Sequence, residues 1–311
     1  MRTKLVALVL FLLGFEMMYS QQDSQFTQYM YNTININPAY AGSRGVMSIF
    51  GLYRNQWVGL DGAPTTMTGS LNTPIGNSNI GLGLSVISDK IGPSDETSIS
   101  ADVSYSIPTS ETWKLSFGLK ATANLLNVDF TKLSIYDTSD PRFQNNVDNK
   151  FSPNIGAGIY LHSNKTYFGL SVPNFLETKH FDENASINNS ASFVAKERMH
   201  YYAIAGHVFD LSPSIQFKPA VLAKVVQGAP LQVDVSGNFL FNEKFTIGAA
   251  YRWSAAMSAM IGFQATENWF IGYAYDMETT KLADYNSGSP EIFLRYELFN
   301  NYDRVVSPRF F

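Results

Sequence analysis

Leu115 to Leu125 reads LSFGLKATANL, and its side chains alternate strictly between two kinds. Every odd-numbered position is apolar, whereas the even-numbered positions carry serine, glycine, lysine, threonine and asparagine. Successive side chains of a β-strand point to opposite faces, so this period of two predicts a strand with one apolar and one polar face. The run is longer than the roughly 5–6 residues of a typical soluble strand and matches the roughly 9–11 residues of a tilted membrane strand.

The same alternation recurs from Ser98 to Ile107, from Thr246 to Trp253 and from Glu291 to Leu298, and no stretch has a convincing helical period. Marking every such run predicts about fourteen strands. They start near Val46, Pro64, Asn79, Thr97, Thr112, Ser152, Lys165, Met199, Ser214, Leu231, Lys244, Ala255, Asn268 and Pro290.

Two architectures bury one face of many antiparallel strands: a soluble sandwich or propeller, and an outer-membrane barrel whose apolar face meets lipid. The polar face of these strands favours the barrel because it carries mostly small residues and few charges, as at Gly81, Gly83 and Ser85. The isolated charges on that face have mixed signs, so we expect them to pair across the interior. They are Arg54, Asp102, Lys120, Lys218, Lys224, Asp234, Arg252, Asp276, Arg295 and Glu297.

The connections between predicted strands alternate between short and long. The short ones read TPIGNSN, PTSE, SN, DLSP, NE and TEN. The long ones run from Arg54 to Ala63, Asp89 to Glu96, Val128 to Phe151, Pro173 to Arg198 and Met277 to Ser289. Outer-membrane barrels have short periplasmic turns and longer outside loops, which places both chain ends in the periplasm. Two short outside joins, VQGAP and SAA, predict one low rim.

Aromatic residues fall near predicted strand ends, at Tyr53, Trp57, Tyr251, Trp253 and Trp269. Amphipathic rings belong at the headgroup level of a membrane, so these positions are typical of the aromatic girdles of a barrel.

The N-terminus has two basic residues, Arg2 and Lys4, followed by the apolar run from Leu5 to Phe15, which is the layout of a secretory signal peptide. We therefore expect four regions: a signal peptide at 1–20, a periplasmic N-terminal lead-in at 21–45, a barrel at 46–299 and a C-terminal tail at 300–311. The chain has no cysteine, so neither a disulfide nor a lipid-anchoring cysteine is available. A net charge of −4 without a basic cluster argues against a nucleic-acid partner.

Several blocks of the chain resemble the PorP/SprF family of the type IX secretion and gliding machinery of Bacteroidota. The two most specific are SQFTQYMYNTININPAYAGS, from Ser24 to Ser43, and YRNQWVGLDGAPTTMTGSLNTPI, from Tyr53 to Ile75. GLGLSVISDKIGP, from Gly81 to Pro93, and the final SPRFF add weaker support. Thr33 stands where the family would have proline. The resemblance implies a non-enzymatic outer-membrane barrel that helps secreted proteins with C-terminal sorting domains to reach or remain on the cell surface. It also implies contact with other components of the secretion machinery and with outer-membrane lipid.

No catalytic or cofactor motif is present. The histidines His162, His180, His200 and His207 lie on different predicted elements without metal-ligand spacing. The loop from Asp137 to Asn149 has enough oxygens for calcium but lacks the spacing of an EF-hand, so a solvated loop is the better interpretation.

Two segments are candidates for function. The first outside loop is the candidate partner-binding site, with Gln56, Trp57, Gly59, Asp61, Gly62 and Pro64, because loops carry function on a rigid scaffold. The lead-in is a candidate plug or docking segment, with Tyr29, Asn37, Pro38, Tyr40 and Gly42; Asn37 and Pro38 predict a short helical turn there. A porin-like channel for small solutes and a soluble adhesion domain remain the alternatives to a secretion barrel.

Overall fold

A computed structural model describes residues 26–133, 146–177, 198–227 and 229–298. Its strands are β1 Met47–Asn55, β2 Thr65–Pro74, β3 Ile80–Ile91, β4 Ser94–Pro108, β5 Lys114–Val128, β6 Val147–His162, β7 Thr166–Val172, β8 His200–His207, β9 Phe209–Ser212, β10 Ile215–Val226, β11 Gln232–Phe241, β12 Phe245–Arg252, β13 Ala256–Gln264, β14 Trp269–Glu278 and β15 Ser289–Leu298. Short 3-10 turns lie at Thr33–Asn35, Pro38–Tyr40, Phe130–Lys132 and Lys281–Tyr285. Within the described residues, no helix has the length and apolar character needed to cross a membrane.

The strands form one antiparallel sheet that closes on itself. Neighbours in sequence pair with each other, β15 pairs with β1, and β10 joins β8 to β11. The four-residue β9 follows β8 after Val208 and pairs with β10. It therefore extends β8 and does not count as a separate strand of the closed barrel. The prediction of an all-β barrel of fourteen strands is therefore confirmed.

The faces of the wall follow the alternation in the sequence. On β5, Ser116, Lys120 and Asn124 are buried in the interior, while Phe117 and Leu119 lie on the outside, with 62% of Leu119 exposed. Most large exposed hydrophobic residues occupy such outward positions. An apolar exterior around a polar interior is the arrangement of a barrel in lipid.

The two ends of the barrel differ in their connections. One end, the turn end, has the joins at 75–79, 109–113, 163–165, 213–214, 242–244 and 265–268. The other, the loop end, has the joins at 56–64, 92–93, 129–146, 173–199, 227–231, 253–255 and 279–288. Four of the five predicted long joins are present, and the joins at 227–231 and 253–255 are short as predicted. The predicted loop from Asp89 to Glu96 was wrong: these residues are paired, and only Gly92 and Pro93 connect β3 to β4.

The outward aromatic residues mark both ends of the wall. Trp253 lies at the tip of the β12–β13 hairpin at the loop end and is 68% exposed. Trp269 opens β14 at the turn end and packs on Tyr296 with ring centroids 4.7 Å apart. Trp57 is different because it belongs to the loop at 56–64, described below, and not to the outer wall.

The main core lies inside the barrel and contains both wall and N-terminal residues. Its wall members include Phe50, Tyr160, Phe270 and Phe293, and they pack against Tyr31 and other residues that precede β1. We expected residues 21–45 to lie at the periplasmic base. The described part, residues 26–45, instead runs through the interior, and we call it the lumen segment. The proposed signal peptide, the tail at 300–311 and residues 21–25 lie outside the described residues.

Candidate functional site: the lumen segment and the loop-end platform

The lumen segment crosses the barrel from one end to the other. Thr27 meets Arg54, Asp276 and Glu291, which lie near the loop ends of β1, β14 and β15. Arg44 pairs with Glu297, which lies near the turn end of β15. Most side chains in between are buried, so the segment fills the interior along its height. Its buried residues are Thr27, Gln28, Tyr29, Met30, Tyr31, Asn32, Thr33, Ile34, Asn37, Pro38, Ala39, Tyr40, Ala41 and Arg44.

Two 3-10 turns make the segment compact. In the second, Asn37 is extended, and its side-chain oxygen accepts a hydrogen bond from the backbone N–H of Ala39 at 3.0 Å. Pro38 takes the first helical position, where its missing N–H costs nothing. Gly42 follows with a φ of +68°, which favours glycine. The turn predicted from Asn37, Pro38 and Gly42 is therefore present.

Glycines in the wall let this turn approach closely. A Cβ added to Gly118 would lie 2.2 Å from the backbone nitrogen of Ala39, and one added to Gly158 would lie 2.2 Å from Oδ1 of Asn37. A Cβ at Gly81 would meet the carbonyl of Ala41 at the same distance. The turn and the wall are thus complementary in shape at three strands, which only glycine permits.

Hydrogen bonds hold the segment's polar backbone to the wall. Ser104 and Ser171 donate to the carbonyls of Ala41 and Ile36 at 2.7 and 2.6 Å. Nζ of Lys120 donates to the carbonyl of Ile34 at 3.2 Å. A buried chain without regular secondary structure needs such partners, and the small polar residues of the strands supply them.

A buried ionic cluster anchors the segment at the loop end. The Arg54 guanidinium donates to Oδ2 of Asp276 at 2.7 Å and to Oε2 of Glu291 at 3.0 Å. The hydroxyl of Thr27 accepts from Arg54 at 2.9 Å and donates to Asp276 at 2.6 Å. Glu291 also accepts from the backbone N–H groups of Thr27 and Gln28, each at 3.0 Å. The cluster therefore joins three strands to the start of the described chain.

At the turn end the contacts combine charge and aromatic rings. Glu297 pairs with Arg44 of the lumen segment and lies 3.7 Å from Arg295. The Arg295 guanidinium lies 4.7 Å from the centroid of the Phe270 ring. Tyr31 stacks near Phe270 at 5.6 Å. This end of the segment is held by a second, independent set of interactions.

The expected pairing of interior charges is confirmed for most of them. Lys120 lies 3.3 Å from Asp102, and Arg252 lies 3.2 Å from Asp234. Two further interior lysines lie near aromatic rings: Lys218 is 5.6 Å from the centroid of Tyr31, and Lys224 is 6.0 Å from that of Tyr202.

The first outside loop is fixed to its neighbours by backbone and side-chain bonds. Val58 exchanges two backbone hydrogen bonds with the β14–β15 loop, to the carbonyl of Gly288 at 2.9 Å and from the N–H of Ser287 at 2.7 Å. Gly62 accepts from Gly92 of the β3–β4 hairpin at 2.9 Å. We call residues 56–64 and 285–289 together the loop-end platform.

Trp57 holds the loops of this platform together through two hydrogen bonds. Its indole N–H donates to Oε1 of Glu278 at 2.8 Å, and its backbone N–H donates to the hydroxyl of Ser289 at 3.1 Å. Its φ of +48° is unusual for a large residue and is held by these bonds. Among the candidate residues, Gly59, Asp61 and Gly62 are exposed at the tip; Gln56 and Trp57 are half-buried, and Pro64 is buried at the base.

The three histidines in the described residues lie at different places in the barrel. His162 and His207 lie at the turn end, and His200 begins β8 at the loop end. His180 lies outside the described residues, as do residues 137–145 of the calcium candidate from Asp137 to Asn149. Asn146 bonds instead to the backbone N–H of Phe130 at 3.0 Å. In the described part of the chain, no group of three or more His, Asp or Glu side chains could hold a metal.

Among the residues that anchor the two ends of the lumen segment, sequence reasoning missed Thr27, Arg44 and Glu291. The sequence pattern could have indicated Glu291, because it lies on the same inward face of the last strand as Arg295 and Glu297. Thr27 and Arg44 lie in a stretch without periodicity, so nothing in the pattern points to them.

Comparison with known proteins gives both a family and a fold. The profile described as "Type IX secretion system membrane protein PorP/SprF" matches residues 18–296. No curated protein matches the chain. Among solved structures, the CymD monoaromatic hydrocarbon channel is similar with a TM-score of 0.51 and 12% identity, covering 89% of this chain and 94% of that one. The Pseudomonas putida toluene transporter TodX has a TM-score of 0.49 and 9% identity over 90% of this chain and 99% of its own.

At this identity the CymD likeness supports the barrel fold alone. The family match, which spans the lumen segment and almost every strand, is the more specific finding. Together they place the protein in the outer membrane. The chain belongs to the PorP/SprF family of type IX secretion system membrane proteins.

Proposed function

We propose that the barrel assists the export or cell-surface attachment of secreted proteins that bear C-terminal sorting domains, as a plugged scaffold and not as an open pore. The observation that carries this proposal is the lumen segment. It fills the interior, is anchored at both ends, and belongs to the stretch matched by the family. A filled interior leaves the rims of the barrel as the surfaces on which other proteins act.

The partner on the outside is a secreted surface protein, and we propose that it docks on the loop-end platform. The platform is pre-formed, because its loops are tied together by the hydrogen bonds of Val58 and Trp57. Pre-organised loops bind without a large entropy cost of ordering. The exposed Gly59, Asp61 and Gly62 would make the first contacts.

On the periplasmic side we propose contact with other components of the secretion machinery. The lumen segment ends there at Arg44, next to the first residues of β1. A porin-like channel for small solutes, the alternative function, is supported by the polar interior wall but not by an interior filled with the chain itself.

The docking proposal is tested by reversing a charge at the tip. Asp61→Arg should reduce the amount of sorting-domain protein held on the cell surface, measured by labelling whole cells. The matched control is Asp148→Arg, because Asp148 is also exposed at the loop end but lies on β6, away from the platform. In both variants the assembled barrel is verified by its heat-dependent migration on gels. Equal surface retention in the two variants contradicts docking at the platform.

The wider proposal is tested by deleting the gene and following all sorting-domain proteins of the cell. At least one should be lost from the surface or accumulate in the periplasm. Correct export and attachment of every one would contradict a role in secretion.

A further inference from the structure

A groove crosses the outer wall where the barrel faces lipid. It has a volume of about 870 Å³ and spans β3 to β10. Three outward alanines, Ala157, Ala203 and Ala223, form its floor. Larger residues, each 45–62% exposed, stand around them: Phe117, Leu119, Leu170, Tyr201 and Val225. We call this feature the wall groove.

The register of the strands explains its shape. Leu119 is opposite Ala157, Leu170 is opposite Ala203, and Ala203 is opposite Ala223. Small residues thus lie on β6, β8 and β10, with Val172 and Leu170 of β7 between the first two. On the inner side of the same wall, Gly118 and Gly158 touch the lumen segment directly. The wall is therefore thin here, with alanine outside and glycine inside.

The chemistry of the groove selects an apolar ligand. The two serine hydroxyls of its lining, those of Ser104 and Ser171, are directed inward and donate to carbonyls of the lumen segment. Otherwise the lining is almost entirely hydrocarbon and aromatic. A sugar or headgroup would lose its water without gaining partners, which makes its burial unfavourable.

The size fits one lipid chain. The whole groove, from β3 to β10, crosses six strand spacings, about 29 Å at roughly 4.8 Å each, and its alanine floor, from Ala157 on β6 to Ala223 on β10, crosses three, about 14 Å. A single acyl chain reaches across half of a hydrocarbon core about 30 Å thick, so it is about 15 Å long. The volume also lies in the range of roughly 300–1,000 Å³ typical of sites for one small ligand.

We propose that the wall groove is a specific site for one acyl chain of an outer-membrane lipid. The chain lies across the strands over the alanine floor, held by Leu119, Leu170 and Tyr201. The lipid is an integral partner of the barrel and not part of the exchanging annulus. This inference is independent of the proposed role in secretion, because it rests on the outer wall alone.

Native mass spectrometry of the full chain in detergent, titrated with palmitoyl-oleoyl phosphatidylethanolamine, tests the proposal. The wild type should retain one lipid more tightly than any further one. Ala203→Trp fills the floor and should lower occupancy of that first site roughly tenfold, the factor expected from losing about two buried methylenes. Ala259→Trp is the matched control, since Ala259 is an exposed outward alanine on β13, outside the groove; its occupancy should equal that of the wild type.

Equal occupancy in Ala203→Trp and Ala259→Trp, or no preferred first lipid in the wild type, overturns the proposal. If Ala203→Trp does not assemble, Ala157→Leu and Ala223→Leu fill the floor with less bulk and should each lower occupancy in the same direction. A photo-crosslinking residue at Leu170 gives a second measurement in cells. A lipid adduct supports the site, and a protein adduct as the sole product assigns the groove to a protein and overturns it.

Discussion

Replacing Gly118 by alanine tests how closely the wall and the lumen segment fit. The new Cβ would lie 2.2 Å from the backbone nitrogen of Ala39 and 2.4 Å from the carbonyl carbon of Pro38, whereas ordinary contacts begin at 3.4 Å. Turn or wall must therefore move by about 1.2 Å, and neither can yield by rotating a side chain. Overpacking of this kind costs about 1–3 kcal/mol. We expect Gly118→Ala to lower the free energy of unfolding by that amount.

The assay is urea unfolding of the refolded barrel in lipid vesicles, followed by tryptophan fluorescence. Gly51→Ala is the control, because Gly51 is also a strand glycine but has no atom within 4 Å of an added Cβ. That change should be neutral or slightly stabilising, since alanine restricts the unfolded chain more than glycine does. Equal stability of the two variants would refute the close packing of the lumen segment against β5.

Three further substitutions probe other contacts. Arg54→Met leaves the buried Glu291 without its cation and leaves Asp276 with the more distant Arg252, at 3.9 Å, so unfolding stability should fall by about 3–5 kcal/mol in the same urea assay; a loss below 1 kcal/mol would be inconsistent with the cluster. Trp57→Phe keeps an aromatic ring but loses the hydrogen bond to Glu278, so protease cleavage of the loop at 56–64 should speed up by roughly a factor of ten or less. An unchanged cleavage rate would contradict the role of Trp57 in fixing the platform. Asn37→Ala removes the cap of the second turn and the 3.0 Å bond to the carbonyl of Ile159, with an expected cost of about 1–2 kcal/mol; a neutral result would mean that the turn needs no cap.

The strands could be predicted because their environment imposes a period of two. Lipid on the outside and small polar groups on the inside produce a clear alternation of residue types on β4 and β5. Asp102 and Lys120 both occupy inward positions on these strands, and they form an ion pair. β6 extends further than predicted, beginning at Val147 and not near Ser152. Residues 148–150 are polar and break the apolar alternation, yet the backbone stays paired with β5, with Lys150 opposite Leu126 and Val147 opposite Val128.

The place of the lumen segment could not be predicted from its own residues. Its contacts join positions far apart in the chain, such as Thr27 and Glu291, separated by 264 residues. A contact between residues so far apart in the sequence cannot be predicted from the local pattern of residue types. A weaker signal lay in the wall, where Gly81, Gly118 and Gly158 occupy inward strand positions, since glycine in a strand often marks the close approach of another backbone.

The most direct test of the plugged barrel is single-channel recording in planar bilayers. The full chain should show no steady conductance, because the lumen segment fills the interior between its two anchored ends. A variant lacking residues 28–40 serves as the positive comparison and should open a stable pore through the same wall. Steady ion conduction by the intact chain would contradict the account and favour a channel for small solutes.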